Sequence, residues 1–301
     1  MRWQRELQAL LPGRVFCDEP LARYSSLRIG GPADCLVAPK NEDDLCRVVR
    51  FLRERAVPFL PVGNGTNLLV RDGGYRGAVI VLQGLRELTW ERGSGDMVTV
   101  RAGAGLSLAA VVGLALREGL TGMEFCAGIP GSVGGAVRMN AGAFGRELKD
   151  VLASVRLLRE SGIEEVTRAQ LAFAYRDVAL PAGAVITGAT FLLRPGMRDK
   201  IAAQIDEIMA LRKQKHPLEL PNVGSIFKNP PGIPAGQLIE ELGLKGMQIG
   251  GARISEKHGN FIVNMGEAQA ADILALIEMV QQQVRQKRGI ELETEVRIIG
   301  E

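Results

Sequence analysis

Residues able to bind a phosphorylated ligand are concentrated in one segment of the chain. Residues 126–145 are apolar and carry a single charge, and their glycines stand at positions 128, 131, 134, 135, 142 and 145. Because glycine lacks a Cβ atom, its backbone N–H groups approach a ligand closely. Successive N–H groups form concave sites for anions such as a pyrophosphate. Composition alone favours a large phosphorylated cofactor here, with a compact set of β-turns as the alternative.

A second loop, residues 63–67 (GNGTN), offers backbone and side-chain donors just after a predicted strand. By itself this loop is typical of a turn. Together with residues 126–145 it favours a pyrophosphate site built from two loops.

The sequence nearly matches two known motifs, the dinucleotide-binding fingerprint and the nucleophile elbow. Residues 103–108 (GAGLSL) lie between a strand and a helix, but Leu108 replaces the third glycine of the dinucleotide fingerprint, and no acidic residue stands at the expected distance. Ser132 lies in a sequence close to a nucleophile elbow, but Pro130 replaces its first glycine. Both interpretations are disfavoured, and we expect Ser132 to donate a hydrogen bond to an anion.

Single residues elsewhere have side chains suited to catalysis. Arg176, Ser225 and Glu295 qualify by type, yet residues of these types more often form surface ion pairs, cap turns or lie on solvated strands. His216 and His258 are the only histidines, are far apart, and are expected in loops. Because there are only two histidines, a histidine-rich metal site is excluded and Ser-His-Asp catalysis is disfavoured.

Composition excludes several classes of function. A net charge of +3 and 5 % aromatic residues argue against a nucleic-acid partner. No signal peptide or apolar run of about 20 residues is present, so the sequence predicts a cytoplasmic protein without a membrane segment. The cysteines at 17, 35, 46 and 126 lack metal-binding spacing and fit a reduced protein.

The elements that must position these residues alternate between strand and helix. A helix is predicted to begin after Asn41, another from Ser107 to Leu120, and others at 198–215 and 267–288, the last ending at Gly289. Strands are predicted at 35–38, 59–62, 78–82, 97–101, 154–158, 184–193 and 292–299. Glu295 would lie on the last strand, on the same face as Glu293 and Arg297.

Six motifs, in one order along the chain, support a more specific interpretation. They are residues 26–34, 63–70, 128–137 with 139–142, 175–176, 224–229 and 295–300. Together they resemble the UDP-N-acetylenolpyruvoylglucosamine reductases, also called UDP-N-acetylmuramate dehydrogenases, which complete UDP-N-acetylmuramate in peptidoglycan synthesis. The resemblance runs from about residue 20 to residue 301.

The resemblance implies an α+β fold: an FAD-binding fold of the vanillyl-alcohol-oxidase type, followed by a C-terminal α+β substrate-binding domain. Its two FAD-binding subdomains would be residues 1–80 and 81–195, and the substrate-binding domain 196–301. The short third domain resembles the shorter type of the family, which lacks the tyrosine loop. FAD would be bound non-covalently by Gly63, Asn64, Gly65, Thr66, Asn67, Gly128, Ile129, Pro130, Gly131, Ser132, Gly134, Gly135 and Asn140.

The resemblance also implies the reaction. NADPH, the co-substrate, would reduce FAD, and the flavin N5 would pass the hydride to C3 of the enolpyruvyl group of UDP-N-acetylglucosamine enolpyruvate. Ser225 would deliver a proton to C2, Arg176 would stabilise the negative charge, and Glu295 would assist as an acid. The implied substrate contacts are Tyr175, Lys215, Lys228 and Asn229, in a cytoplasmic protein that we expect to be a monomer.

Two positions depart from the family pattern. Arg138 stands where an aromatic residue is common, and Val178 where serine is often found.

Two other functions are alternatives to the reductase. An FAD oxidase of the same fold often carries its flavin covalently on a loop histidine or cysteine, which loops 63–67 and 128–135 lack. A nucleotide-binding module without catalysis is disfavoured because Arg176, Ser225 and Glu295 are all present.

Overall fold

The computed structural model describes residues 2–93 and 95–301. Its α-helices are α1 (Arg2–Leu10), α2 (Glu42–Glu54), α3 (Leu108–Arg117), α4 (Val133–Arg138), α5 (Arg198–Lys215), α6 (Ala235–Glu241) and α7 (Ala270–Arg288). Short 3-10 helices span Leu21–Tyr24, Leu82–Gly84, Glu124–Cys126, Leu148–Asp150 and Arg168–Gln170.

The strands are mostly short. They are β1 (Val15–Pro20), β2 (Pro32–Val37), β3 (Phe59–Val62), β4 (Leu68–Val70), β5 (Tyr75–Val81), β6 (Leu88–Arg92), β7 (Val98–Gly103), β8 (Leu120–Thr121), β9 (Gly142–Ala143), β10 (Arg146–Glu147), β11 (Leu152–Arg159), β12 (Gly162–Thr167), β13 (Ala172–Ala174), β14 (Asp177–Ala179), β15 (Val185–Pro195), β16 (Gln248–Ile249), β17 (Ala252–Ile254), β18 (Ile262–Asn264) and β19 (Arg297–Ile299).

These strands form two larger sheets and several small ones. One sheet has the order β1-β2-β5-β3, in which β3 and β5 are parallel. The other has the order β12-β11-β15-β7-β6, with β8 paired to β15, and all of these neighbouring strands are antiparallel. Smaller pairings join β9 to β10, β13 to β14, β16 to β17 to β18, and β4 in parallel to β19.

The chain forms two compact units. The first contains residues 1–17, 35–64 and 77–211, and one apolar cluster fills it, including Leu45, Val100 and Phe191. The second contains residues 18–34, 65–76 and 212–301, with its own cluster around Leu69, Ile226 and Ile277. The division at residues 80 and 195 remains a prediction.

Helix caps lie where the sequence predicts them. The Asn41 side chain accepts a hydrogen bond from the Asp44 N–H at 2.9 Å and begins α2, while Ser107 caps α3. Gly289 ends α7 in the left-handed region, at φ 67°. Helix α3 ends at Arg117, before Leu120, because the chain turns at Gly119 (φ 63°) into β8.

Two sequence-based expectations differ from the structure. The glycine-rich segment contains a helix, α4, which its glycines did not suggest. The predicted strand 292–299 is wrong over its first five residues, since only Arg297–Ile299 is a strand. The backbone N–H of Glu295 donates to the Ile226 carbonyl, whereas that of Arg297 donates to Asn67, so the chain changes hydrogen-bonding partner near Val296.

Within the described residues, no helix is long and apolar enough to cross a bilayer. The same part of the chain holds no group of three histidine, cysteine or acidic side chains that could bind a metal ion.

Candidate functional site

In the first unit, the glycine-rich segment is held by the loop that precedes α3. Ser132 begins α4, and its side chain accepts a hydrogen bond from the Gly135 N–H at 3.3 Å. The Val133 N–H donates to the Leu106 carbonyl at 2.8 Å, and the Gly134 N–H donates to that of Ala104 at 2.9 Å. Residues 103–108, whose sequence only partly matches the dinucleotide fingerprint, thus hold the glycine-rich segment through backbone hydrogen bonds.

The first residues of loop 63–67 meet this segment. A Cβ atom on Gly63 would overlap the Ser132 hydroxyl, and one on Gly134 would lie 2.8 Å from the Ala104 Cβ. Both positions therefore require glycine for space. Gly128 and Gly135 are exposed, which leaves their backbone open to a ligand.

The rest of loop 63–67 belongs to the second unit. Gly65 has φ 60°, and a Cβ atom there would overlap the Tyr24 carbonyl oxygen. The Asn67 side chain donates to the Glu295 carbonyl at 3.1 Å, and the Asn67 carbonyl accepts from the Arg297 N–H at 3.1 Å. Within the second unit, Asn67 is therefore fixed against the C-terminal segment that carries Glu295.

Arg176 lies in the first unit at the tip of a hairpin. Strands β13 and β14 pair through Ala174 and Asp177, so Tyr175 and Arg176 form the turn, and Arg176 takes the left-handed region at φ 58°. The guanidinium carbon of Arg176 lies 5.2 Å from the centre of the Tyr175 ring. The turn thus presents an arginine in a backbone conformation that costs about 1–2 kcal/mol for a residue with a Cβ atom.

The end of α4 holds this hairpin. The Asn140 side chain donates to the Ala174 carbonyl at 3.2 Å and accepts from the Lys149 N–H at 3.2 Å. Arg138 pairs with the Asp177 carboxylate and donates to the Val178 carbonyl at 3.0 Å. One short helix therefore connects the glycine segment to the hairpin that carries Arg176.

In the second unit, Ser225 and Glu295 lie on adjoining segments. The Glu295 N–H donates to the Ile226 carbonyl at 2.7 Å, next in sequence to Ser225. The Lys228 N–H donates to the Glu293 carbonyl at 2.9 Å, and the Lys228 ammonium contacts the Glu293 carboxylate at 3.0 Å. Ser225 itself is half-buried.

Comparison with known proteins identifies the parts of the chain. Residues 33–167 match the FAD binding domain model, and residues 216–299 match the model of the UDP-N-acetylenolpyruvoylglucosamine reductase C-terminal domain. A reductase of that name from Syntrophus aciditrophicus is 55 % identical over 299 residues, covering 99 % of this chain and 96 % of the relative. One from Geobacter metallireducens is 46 % identical, covering 98 % of this chain and 97 % of the relative.

This chain belongs to the UDP-N-acetylenolpyruvoylglucosamine reductase family. The crystal structure of a reductase of that name from Thermus caldophilus superposes with a TM-score of 0.79 at 36 % identity, covering 93 % of this chain and 97 % of that one. The predicted family and fold class are confirmed, and the chain is an FAD-dependent oxidoreductase whose reductant is NADPH.

The glycine positions fit FAD as the bound group of this reductase. Gly63, Gly65 and Gly134 stand where a Cβ atom would collide with the surrounding protein, which keeps the backbone of both loops close-packed. Ser132 is 1 % exposed and caps α4, so its observed contact is with Gly135 rather than with solvent. The Asn140 amide contacts the protein at both ends, which favours a positioning role.

The predicted substrate contacts are spread over both units. Tyr175 is 44 % exposed in the first unit, and Lys215 is exposed at the end of α5. Lys228 pairs with Glu293, and the Asn229 side chain accepts a hydrogen bond from the Ala235 N–H at 3.0 Å, at the start of α6. These assignments remain predictions.

Two asparagines that the sequence analysis missed flank Ser225. Asn260 is 3 % exposed, and its side chain accepts from the Phe227 N–H at 2.9 Å and donates to the Phe227 carbonyl at 2.8 Å. The Asn222 side chain accepts from the Gly224 N–H at 3.0 Å and donates to the Leu220 carbonyl at 2.8 Å. Both fix the backbone around Ser225, and the GSIFKN motif alone gives no signal for either.

We expect Gly63→Ala to weaken FAD retention. Gly63 does not occupy the left-handed region, so the substitution tests space alone, and the new methyl group would push the Ser132 hydroxyl away. Overpacking of this kind costs about 1–3 kcal/mol. Flavin absorbance relative to protein absorbance after purification measures the loss.

A second substitution makes this test specific. Ser132→Gly removes the colliding atoms, and glycine at a helix N-cap costs only a few tenths of a kcal/mol. Because Ser132 is itself a proposed FAD contact, the double variant should regain flavin up to the level that the Ser132→Gly single variant retains. Gly113→Ala is the control, because its Cβ would meet only the Arg117 guanidinium at 3.7 Å. Equal flavin loss in the single and double variants would contradict the proposed contact.

The two histidines, distant in sequence, form one aromatic cluster in the second unit. The rings of His216 and His258 have centroids 5.5 Å apart, and Phe261 lies 5.0 Å and 4.8 Å from them. His258 Nδ1 accepts a hydrogen bond from the Asn260 N–H at 3.1 Å, which links the cluster to the residue that holds Phe227. Burial lowers the pKa of His216 to about 4, helped by repulsion from His258, Arg212 and Lys215.

The histidine cluster should make the protein acid-sensitive. Burial also lowers the pKa of His258, with Lys245 opposing its charge and Glu240 favouring it. The unfolded chain binds these protons more readily than the folded one, so stability falls as pH drops from about 6.5 to about 4. Thermal midpoints measured across this range give the slope.

The matched control is His216→Gln, which cannot titrate. Its thermal midpoint should change less with pH than that of the unmodified protein over the same range, whatever its value at neutral pH. Parallel slopes for the two proteins would mean that His216 is not the titrating group.

Proposed function

We propose that this chain reduces the enolpyruvyl group of UDP-N-acetylglucosamine enolpyruvate to give UDP-N-acetylmuramate, with Arg176, Ser225 and Glu295 as the reacting side chains. The overall reaction follows from membership of the reductase family. The residue roles are supported above all by the 2.7 Å bond from the Glu295 N–H to the Ile226 carbonyl, which sets Glu295 against the segment of Ser225.

FAD, which the loops at 63–67 and 128–135 would hold, would supply the hydride chemistry between NADPH and C3 of the enolpyruvyl group. The protein must then complete the saturated product with a proton at C2. Ser225 is the proposed donor. A serine hydroxyl is a weak acid, so a neighbouring group must polarise it or resupply its proton, and Glu295 on the adjoining segment is the proposed neighbour.

Arg176 is proposed to bind the substrate carboxylate and to stabilise the charge that develops beside it during hydride addition. An arginine stays cationic at any working pH and holds a carboxylate through two parallel N–H bonds. The bonds from Asn140 and Arg138 to the Ala174 and Val178 carbonyls fix the backbone of the hairpin whose turn carries Arg176. A preorganised donor of this kind contributes about 2.7–4 kcal/mol.

Tyr175, Lys215, Lys228 and Asn229 are proposed to contact the UDP-sugar. Lys215 is exposed and carries the charge that a diphosphate needs. Lys228 already pairs with Glu293, so a phosphate would compete with that carboxylate. The loops at 63–67 and 128–135 with Asn140 are the proposed FAD contacts, and the protein is proposed to act as a cytoplasmic monomer.

Flavin absorbance recorded in two steps tests the proposal. NADPH alone should bleach the flavin in the absence of oxygen, and subsequent addition of the enolpyruvyl UDP-sugar should restore the colour with formation of the saturated product. A flavin that NADPH reduces but that this sugar fails to reoxidise would overturn the assignment of substrate. Sedimentation analysis checks the monomer.

A further inference from the structure

Two cysteines from neighbouring strands lie almost within bonding distance. Cys17 on β1 and Cys35 on β2 have their Sγ atoms 3.1 Å apart. A disulfide bond needs a separation of about 2.0 Å, so a movement of about 1 Å would bring the sulfurs to bonding distance. Cysteine spacing in the sequence gives no sign of this pair.

The two thiols differ in exposure. Cys35 is fully buried in the apolar cluster of the first unit, whereas Cys17 is partly exposed. The Gln8 side-chain amide donates a weak hydrogen bond to the Cys17 sulfur at 3.6 Å. Redox-sensing cysteines are typically accessible and lie next to a second cysteine that resolves the oxidised form.

We propose that Cys17 and Cys35 form a reversible redox modification site, oxidised by hydroperoxides to a disulfide. The Cys17 thiolate attacks one oxygen of hydrogen peroxide, the O–O bond breaks, and hydroxide leaves as Cys17 becomes a sulfenic acid. The Cys35 sulfur then attacks the Cys17 sulfur, the S–O bond breaks, and water leaves. Overall two thiols lose two hydrogen atoms, and the peroxide is reduced to two water molecules.

The other cysteines are less suited to this reaction. Burial raises the pKa of the Cys46 thiol, with Glu42 and Asp43 adding to the effect, so little thiolate is present. Cys126 is only 1 % exposed. Peroxide should therefore react selectively at Cys17, because this thiol is partly exposed to solvent and lies beside the Cys35 sulfur.

Oxidation should stabilise a segment that supports loop 63–67. The bond would close the stretch from residue 18 to residue 34, which contains Tyr24 and Ser26. The Ser26 N–H donates to the Gly65 carbonyl at 3.2 Å, and the Tyr24 carbonyl lies against Gly65. Closing a chain segment restricts the unfolded state, so the oxidised protein should unfold at a higher temperature and retain flavin longer on heating.

The test treats the native holoenzyme with a small excess of hydrogen peroxide, followed by alkylation of the remaining thiols and digestion with trypsin. Each cysteine falls in a separate tryptic peptide, those of Cys17 and Cys35 being residues 15–23 and 29–40. We expect these two peptides to be linked, the intact mass to fall by about 2 Da, and the link to vanish with dithiothreitol. The thermal midpoint should rise by roughly 5 °C and return on reduction.

Matched variants separate the site from general thiol oxidation. Cys17→Ser and Cys35→Ala should each abolish the linked peptides and the rise in midpoint, whereas Cys46→Ser should leave both unchanged. Because Cys35 is buried, Cys17→Ser carries the test if Cys35→Ala folds poorly. The proposal is overturned if native protein oxidises at Cys46 or only to single sulfenic, sulfinic or sulfonic acids. It also fails if the 15–23 to 29–40 link forms only in denaturant.

Discussion

Ser225→Ala should separate the two halves of the reaction. NADPH should reduce the bound flavin at an unchanged rate, because the hydroxyl plays no proposed part in that step. Reoxidation by the enolpyruvyl UDP-sugar should slow by about 100- to 10,000-fold, the range that a positioned proton donor contributes. Stopped-flow absorbance of the flavin, with each substrate added in turn, measures both rates.

Two further variants make this result interpretable. Ser225→Cys retains a proton on the side chain and should keep more of the second half-reaction than Ser225→Ala. Ser161→Ala removes an exposed hydroxyl in the turn between β11 and β12 and should leave both rates unchanged. If Ser225→Ala slows flavin reduction as much as reoxidation, Ser225 supports flavin binding and is not the proton donor.

Much of the fold was predictable because its signals are local. Asn41 and Ser107 cap helices where their side chains can accept a backbone N–H, and Gly289 ends α7 in the left-handed region. The end of the chain was mispredicted because its pairing is non-local. The alternation of polar and apolar residues around Glu295 suggests one continuous strand. In the structure the hydrogen-bond acceptor of the backbone changes from Ile226 to Asn67 between Glu295 and Arg297.

The site was predictable only in its residue types. The glycine content of the two loops predicted them as candidate ligand sites. The structure gives the physical reason for glycine at Gly63 and Gly65, where a Cβ atom would overlap neighbouring protein atoms. Asn260 could not be found, because one amide in a strand-rich region has no pattern until the fold brings it against Phe227. The contact of His216 with His258 likewise depends on chain segments about forty residues apart.

Arg176→Lys should lower turnover strongly while leaving the fold intact. Lysine keeps the positive charge and the same backbone strain at φ 58°, but it cannot bind a carboxylate through two parallel N–H bonds. We expect turnover to fall by about 100- to 1000-fold, as for removal of one preorganised donor. Steady-state rates with the enolpyruvyl UDP-sugar, together with flavin reduction by NADPH, measure the effect.

Arg176→Gly gives the complementary result. Glycine adopts the left-handed region without strain, so this variant should unfold at the same or a slightly higher temperature, although it loses turnover more completely than Arg176→Lys. A strained residue is kept in a turn only if its side chain does something that glycine cannot. An Arg176→Gly variant with normal turnover would therefore remove Arg176 from the catalytic group, and a large loss of stability would assign it a structural role instead.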